Sequence, residues 1–430
     1  MKFWWVSFAL VLVTALPLKA QSSADDVAAS LAEAGFVNVR SAETEEYMVF
    51  TVENDSYKLQ ASGLAAAVRI IEDSGISGIK PVKVIATKCN VPEVTLTYFP
   101  GDTGWDATYR LDDSWNAVRN QPKVNDSFGN VDIVVYPQLS LANLVVTQVY
   151  QVLFQVNPAI ECSLWPGGKI TAQLLCPIYC NDGNAGGGLG YAEYQKTVRP
   201  GFLTVSQNFR FPGNVFGRLT AGNFNTSHMG VDLQLMYPFR NERFALSADV
   251  ALVYNLYFTG MTSISGFSDA KLVGSVSGSY YWAEQNTGLS LAMHQFLFGG
   301  CGLKAEVKRH FRYVTVGLYL EKGLWGDKWV DKMIKDGDEE YVVSVKEPAS
   351  FSDIKLNGGF RFSVALPPYR HKRHGKLPKV DTGNVGMTYN ANNERYYYME
   401  TKSEACDNIM SEDEFNPFYI ESELKKINKQ

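Results

Sequence analysis

The stretch Phe244-Ala-Leu-Ser-Ala-Asp-Val-Ala-Leu-Val-Tyr254 decides the fold. One parity, Phe244, Leu246, Ala248, Val250, Leu252 and Tyr254, is apolar; the other, Ala245, Ser247, Asp249 and Ala251, is small or polar. Strand side chains alternate between faces, so these residues predict one strand with an apolar and a polar face. Val231, Leu233, Leu235 and Tyr237 repeat the pattern against Asp232 and Gln234. Leu303, Ala305 and Val307 repeat it against Lys304, Glu306 and Lys308. Ile354 to Leu366 repeats it, with Phe360, Phe362 and Val364 against Lys355, Arg361 and Ser363. The longest of these runs reach the ~9–11 residues that a tilted strand needs to cross hydrocarbon, against ~5–6 for a soluble strand. Charges of both signs on the polar parity would line a lumen while the apolar parity meets lipid.

Outward from that strand, residues 131–366 read as alternating segments separated by turn signals. Short connections fall at Pro166–Gly168, Phe211–Asn214, Arg240–Arg243, Glu284–Thr287 and near His310, with further short ones at 156–158 and 298–301. Longer ones fall at Asn181–Pro200, Asn223–His228, Thr259–Asp269 and Lys322–Ser350. Alternation of short turns with long loops is the habit of outer-membrane barrels, and it predicts about twelve antiparallel strands, an even number. Gly186 to Gly190 reads as an external loop; it lacks the Lys-Ser/Thr of a phosphate loop.

The flanks complete a mainly β architecture, a transmembrane β-barrel preceded by a small α+β domain. Residues 1–20 read as a signal peptide: Lys2, an apolar run over Phe3 to Val13, and Ala20 before a cut at Gln21. Residues 21–100 read as a periplasmic module in the order α-β-β-α-β-β, with helices over Ala24 to Ala34 and Ala61 to Glu72. Residues 101–130 are expected as a connector with a short helix near Asp113 to Asn120, and 367–430 as a polar periplasmic tail. In that tail, Glu421 to Ile427 suits a short helix, and Tyr396 to Tyr398 suit packing on the barrel rim.

A net charge of -5 argues against nucleic acid as a partner. The 23 Tyr and 24 Phe suit the aromatic girdles of a barrel. Six cysteines suit an exported chain, their pairing left open by the sequence, and without a CxxC pair a zinc site is not expected. No cofactor is expected.

Candidate site residues face the expected lumen: Arg218, Asp232, Gln234, Asp249, Lys304, Glu306, Lys308, Glu321, Lys355 and Arg361. Such a set can touch sugar or a partner, or it can satisfy itself as a charge network that fills a narrow barrel. Arg370, Lys372, Arg373 and Lys376 form a basic collar, read either as a contact to anionic lipid or polymer or as a solvated face. Ser290 and His294 lie on one strand, but no acidic residue follows at the next positions of that parity, so no catalytic group is assigned.

Phe216-Gly-Arg-Leu-Thr-Ala-Gly-Asn-Phe224, His228-Met-Gly-Val-Asp-Leu-Gln-Leu-Met-Tyr-Pro238 and Ala245 to Asn255 together resemble the YjbH family of outer-membrane exopolysaccharide-production proteins. Leu164-Trp-Pro-Gly-Gly168 to Pro177, Leu31 to Gly35 and Asn54 to Leu59 are similar to further parts of it. The resemblance implies a non-enzymatic barrel that assists exopolysaccharide or capsule production and secretion, with outer-membrane lipid, polysaccharide and periplasmic or outer-membrane secretion proteins as partners. A small channel and a lipid-modifying enzyme are the alternatives. Relatives are larger and look like lipoproteins, whereas here no Cys follows the apolar run and one barrel is expected; a role that needs the missing part is not implied.

Overall fold

A computed structural model describes residues 23–142, 151–181, 193–225, 228–266, 270–297, 299–336, 339–366, 370–391, 397–405 and 411–427. The expected signal segment and the Gly186 loop lie outside the described residues. The chain opens with α1 (Ala24–Glu33), capped by Ser23, whose hydroxyl accepts from the Asp26 amide while the Asp26 carboxylate accepts from the Ser23 amide. Then follow β1 (Phe36–Glu43), β2 (Met48–Asn54), α2 (Gln60–Asp73), β3 (Val82–Lys88) and β4 (Val91–Tyr98), in the predicted order. The stretch expected as a connector is structured: β5 (Asp106–Thr108) adds to β4, and α3 (Asp113–Val118) buries Val118 against Val49 and Ile85. The five strands lie in the order β1-β2-β3-β4-β5, parallel at β2–β3, with Leu31, Phe50, Leu64, Ile71 and Val84 in one core beneath the two long helices.

The second sheet closes on itself. Its strands are β6 (Val131–Ala142), β7 (Gln151–Trp165), β8 (Gly168–Leu175), β9 (Pro177–Cys180), β10 (Arg199–Phe211), β11 (Val215–Asn225), β12 (His228–Pro238) and β13 (Phe244–Tyr254). A minor hairpin, β14 (Tyr257–Phe258) and β15 (Ile264–Ser265), sits in the next loop. Then come β16 (Lys271–Trp282), β17 (Thr287–Gln295), β18 (Cys301–His310), β19 (Val314–Asp336), β20 (Glu339–Ser350), β21 (Asn357–Val364), β22 (Lys379–Thr382) and β23 (Val385–Asn390). The ring runs β6-β7-β8-β10-β11-β12-β13-β16-β17-β18-β19-β21-β23 and back to β6, a closed barrel of 13 strands. The even count expected from the loops is corrected to an odd one. With an odd number the first and last strands must run the same way, and β23 does pair with β6 in parallel.

Two local expectations change. Residues 156–158 are not a connection but the middle of β7, in which Pro158 sits between the β9 pairing at Gln155 and the β8 pairing that begins at Ala159. Its missing N–H thus falls where the ladder is already interrupted. Lys322–Ser350 is not a loop either: the outer part of β19 leaves the ring and pairs with β20 as a projecting two-stranded arm.

The outer face keeps the predicted alternation. In β13, Phe244, Leu246, Val250, Leu252 and Tyr254 are exposed, Leu252 at 45%, while Ala251 and Val253 are buried. In β18, Leu303 and Val307 face out, and Glu306 and Lys308 are buried inside. Exposed Trp165, Phe211, Tyr237, Phe244, Trp282 and Phe311 cluster at the short-turn end, and Tyr179, Tyr254 and Trp325 mark the other. An apolar band between two aromatic girdles is the surface of a barrel in an outer membrane. Among the described residues no helix is long and apolar enough to cross a membrane.

Candidate functional site: a filled lumen

The polar parity of the wall builds the site. Of the ten predicted lumenal residues, nine lie on barrel strands at inward positions, and Lys355 does not. It precedes β21 and is exposed, because the alternation breaks at Ile354, which is fully buried against Tyr397 and Tyr398.

The larger correction concerns residues 367–430, expected as a polar periplasmic tail. β23 completes the wall and ends at the long-loop end, beside the start of β21. The chain then returns through the lumen. Tyr397 and Tyr398 pack on Phe296, Ala349 and Ile354 near that end, as expected for the rim, while Tyr396 lies outside the described residues. Lower down, Lys304 reaches Glu400 at 2.7 Å and Glu321 at 3.8 Å, and His294 stands 3.7 Å from Glu400. Arg218 pairs with Glu404 and donates to Gln234 at 2.5 Å. Gln234 in turn bonds Asp232 at 3.0 Å and Asp249 at 3.1 Å, and the Ser403 hydroxyl donates to Asp232.

Near the short-turn end, Lys308 bridges Glu412 at 2.6 Å and Asp413 at 3.0 Å. Arg361 bridges Glu306 and Glu412, both at 3.2 Å, and His310 contacts Asp413 at 2.9 Å. The segment finishes as α4 (Pro417–Ile427), with Ile420, Leu424 and the preceding Phe415 inside the α+β core.

Counter-charge explains this path. Strands present Lys304, Lys308, Arg218 and Arg361 to an enclosed space, where unpaired charge is costly. Glu400, Glu404, Glu412 and Asp413 supply partners in the order in which the chain passes them. An apolar contact completes the filling: Tyr136, Phe202, Phe224, Val253 and Val273, from strands around the ring, meet Met399 and Ala405 of the segment. Sequence reading missed the segment and the inward Glu161–Lys169 pair at 2.6 Å, His294 and His310. The polar parity of β7, β17 and β18 could have revealed the wall members; nothing periodic marks the segment.

Of the basic collar, Arg370, Lys372 and Lys376 are exposed, as a solvated face would be, while the Arg373 side chain is buried in ion pairs. Arg373 bonds Asp55 at 3.0 Å and Asp132, joining the α+β domain to β6. Arg370 donates to the Ala34 carbonyl, and Lys376 to the Asp126 and Phe128 carbonyls at 2.8 Å. Lys372 is exposed. Across the barrel mouth, Arg210 donates to the Pro92 and Glu93 carbonyls at 3.0 and 3.1 Å, and Thr108 to Glu242 at 2.6 Å. At the tip of the β3–β4 hairpin, Cys89 and Asn90 both have positive φ, the geometry of a tight hairpin turn. The buried Glu53 carboxylate accepts their two amides, and burial pushes its pKa up. The Cys89 carbonyl accepts from Gly167 at 2.6 Å. Gly167 has φ +82°, and a Cβ there would meet the Asn208 carbonyl at 2.4 Å, so the barrel turn is shaped for this approach. The domain thereby covers the short-turn end. Cys89, Cys162, Cys176 and Cys301 are free thiols.

These features define an outer-membrane barrel whose lumen holds its own chain. Residues 191–323 match the family model described as exopolysaccharide biosynthesis protein YbjH. The three segments quoted for the YjbH resemblance, over residues 216–255, fall inside that match; those before residue 191 fall outside it. No curated protein matches the chain. Among solved structures, a double mutant of Rh. blastica porin is similar at 10% identity and a TM-score of 0.26, over 55% of this chain and 89% of that one. That likeness is too slight to bear on the argument; the barrel rests on its hydrogen-bonded ring.

Proposed function

We propose that this protein is a non-enzymatic outer-membrane component of exopolysaccharide or capsule production and secretion, its α+β domain lying in the periplasm. The observation that carries the reading is the family match over β10 to β19, which falls on the wall that lines the lumen. The domain sits at the short-turn end, the periplasmic side in barrels of this kind. Polysaccharide and secretion proteins of the periplasm or outer membrane are the partners this placement suits. A lipid-modifying enzyme fits poorly: His294 is occupied by Glu400 and stacks on Phe296 inside the lumen, away from lipid. An open channel fits poorly with an interior crossed by the chain's own C-terminal segment. Deleting the gene tests the proposal. Matrix or capsule polysaccharide is expected to fall sharply in the deletion strain and return on complementation; unchanged polymer would overturn it.

A further inference from the structure

The α+β domain meets the barrel by one end of its sheet. The Cys89 carbonyl, in the turn between β3 and β4, accepts from Gly167 there. The start of β3 at Val82, paired with the end of β4 at Tyr98, therefore lies at the far end, as does the start of β2, which runs parallel to β3. That far end carries a groove of about 390 Å³ between the β1–β2 turn, β3, the end of β4 and the start of α3. Its apolar lining is Tyr47, Pro81 and Phe99, and its charged lining is Glu46, Lys83, Asp112 and Asp113. The lining is fixed in advance. Tyr47 packs against Val49, Ile85 and Val118, and its amide donates to the Thr44 hydroxyl at 3.0 Å. Phe99, 51% exposed, is held by a turn in which the Asp102 amide donates to its carbonyl at 3.0 Å. Such preorganisation lowers the cost of binding.

The charge of the groove selects its occupant. The nearby cations are spent: Lys83 pairs with Asp112 and lies 4.6 Å over the Tyr47 ring, and Lys80 pairs with Glu43 at 2.8 Å. Glu45, Glu46 and Asp113 are exposed and have no ion-pair partner among the described residues. The domain as a whole is acidic, for residues 23–130 hold 16 Asp and Glu against 9 Lys and Arg. An acidic polymer is repelled by such a surface, whereas an arginine or lysine gains both the carboxylates and the aromatic faces. We propose that the groove docks a basic segment of a periplasmic protein, one that sets an arginine or lysine beside an apolar side chain. The volume takes a few side chains, so the contact is a short extended segment rather than a folded face. This deepens the proposed function by giving the chemistry of the partner, and it rests on that reading for the domain's place in the periplasm.

Selection of a random phage-displayed peptide library on the purified full chain tests the groove. Enriched peptides are expected to carry arginine or lysine next to an aromatic or aliphatic residue. The same peptides, made synthetically and fluorescently labelled, are then titrated by anisotropy against the unaltered chain and two variants. The double variant Glu46→Gln, Asp113→Asn removes the two unpaired carboxylates and should weaken binding about tenfold, the sum of two exposed charge contacts. Phe99→Ser leaves the charge alone and should weaken it about fivefold through lost apolar contact. Each change falls on an exposed side chain, and Phe99→Ser carries the test by itself should the double variant misfold. Failure to enrich any peptide, or enrichment of acidic or purely apolar ones, would overturn the proposal. So would basic peptides that bind all three chains alike, since they would be held by the domain's general charge and not by the groove. Polysaccharide output in the deletion strain does not enter these measurements, so the two proposals fail separately.

Discussion

The barrel wall and the segment that threads it are built by opposite rules. β13 is held by paired backbone on both sides, and its side chains only decide which face meets lipid. The stretch from Glu400 to Glu404 belongs to no strand or helix, and its side chains decide where it lies. A change on the wall therefore threatens insertion of the whole barrel, whereas a change on the segment is expected to shift one strap and leave the wall intact. Each prediction below tests that division.

The largest effect is expected on the outer face. Val250→Lys places a cation at the middle of the apolar band of β13, between the girdle residues Phe244 and Tyr254, costing about 3 kcal/mol near the bilayer midplane. Urea unfolding of the reconstituted barrel should show that loss, while Asp249→Asn, on the inward parity of the same strand, should cost far less. Equal losses would mean that the outer face of β13 is not in lipid.

Lys308→Met comes next. It strips the shared partner from Glu412 and Asp413, leaving them with Arg361 and His310. Breaking one side of a buried charge pair costs several kcal/mol, and access of water to Glu412 brings the expectation to about 2 kcal/mol. The loss should appear as faster hydrogen exchange over Glu412–Asn416 with β18 unchanged. Loosening of β18 itself would erase the distinction between wall and strap.

The same contrast explains what the sequence disclosed. β12, β13 and β18 were legible because alternation is local: each residue's face follows from its neighbours two places away. The order of elements in the α+β domain was legible for a similar reason, through the helical spacing of Val27 and Leu31 and of Leu64, Val68 and Ile71. Pro158 misled, since a proline inside a strand reads as a break unless the ladder beside it is known to be interrupted. The segment was illegible because its partners are remote: Lys304 and Glu400 are 96 positions apart, His310 and Asp413 103. Arg373 of the basic collar misled in the same way, for its partner Asp55 lies 318 positions before it. Charge in a sequence shows that a partner is needed, not where it comes from.

Arg373→Ala sharpens the comparison at the domain's seat. It should cost about 1.5 kcal/mol of docking, the scale of a charged hydrogen-bonded contact. Calorimetry should then resolve an earlier transition for the α+β domain, with barrel unfolding unmoved. A barrel transition that falls in parallel would make the domain part of the wall's own stability.

The smallest effect depends on pH. Burial raises the Glu93 carboxyl to about 7, opposed by Lys88 and Arg210 and reinforced by Glu414, with Arg218 also near. Arg210 and Arg218 stand on the barrel strands β10 and β11, so this environment is complete only when the domain is seated. A carboxyl whose pKa is raised in the docked state binds more protons there than when undocked. Docking is therefore favoured fully below the ordinary value near 4.5 and weakens as pH rises through about 7. The half-buried position limits the change to about 1 kcal/mol. Glu93→Gln fixes the uncharged form, so the domain transition should stop shifting between pH 5 and 8 while that of the unaltered chain still falls. If both chains shift alike, the dependence belongs to the lumenal carboxylates instead, and the strap rather than the seat senses pH.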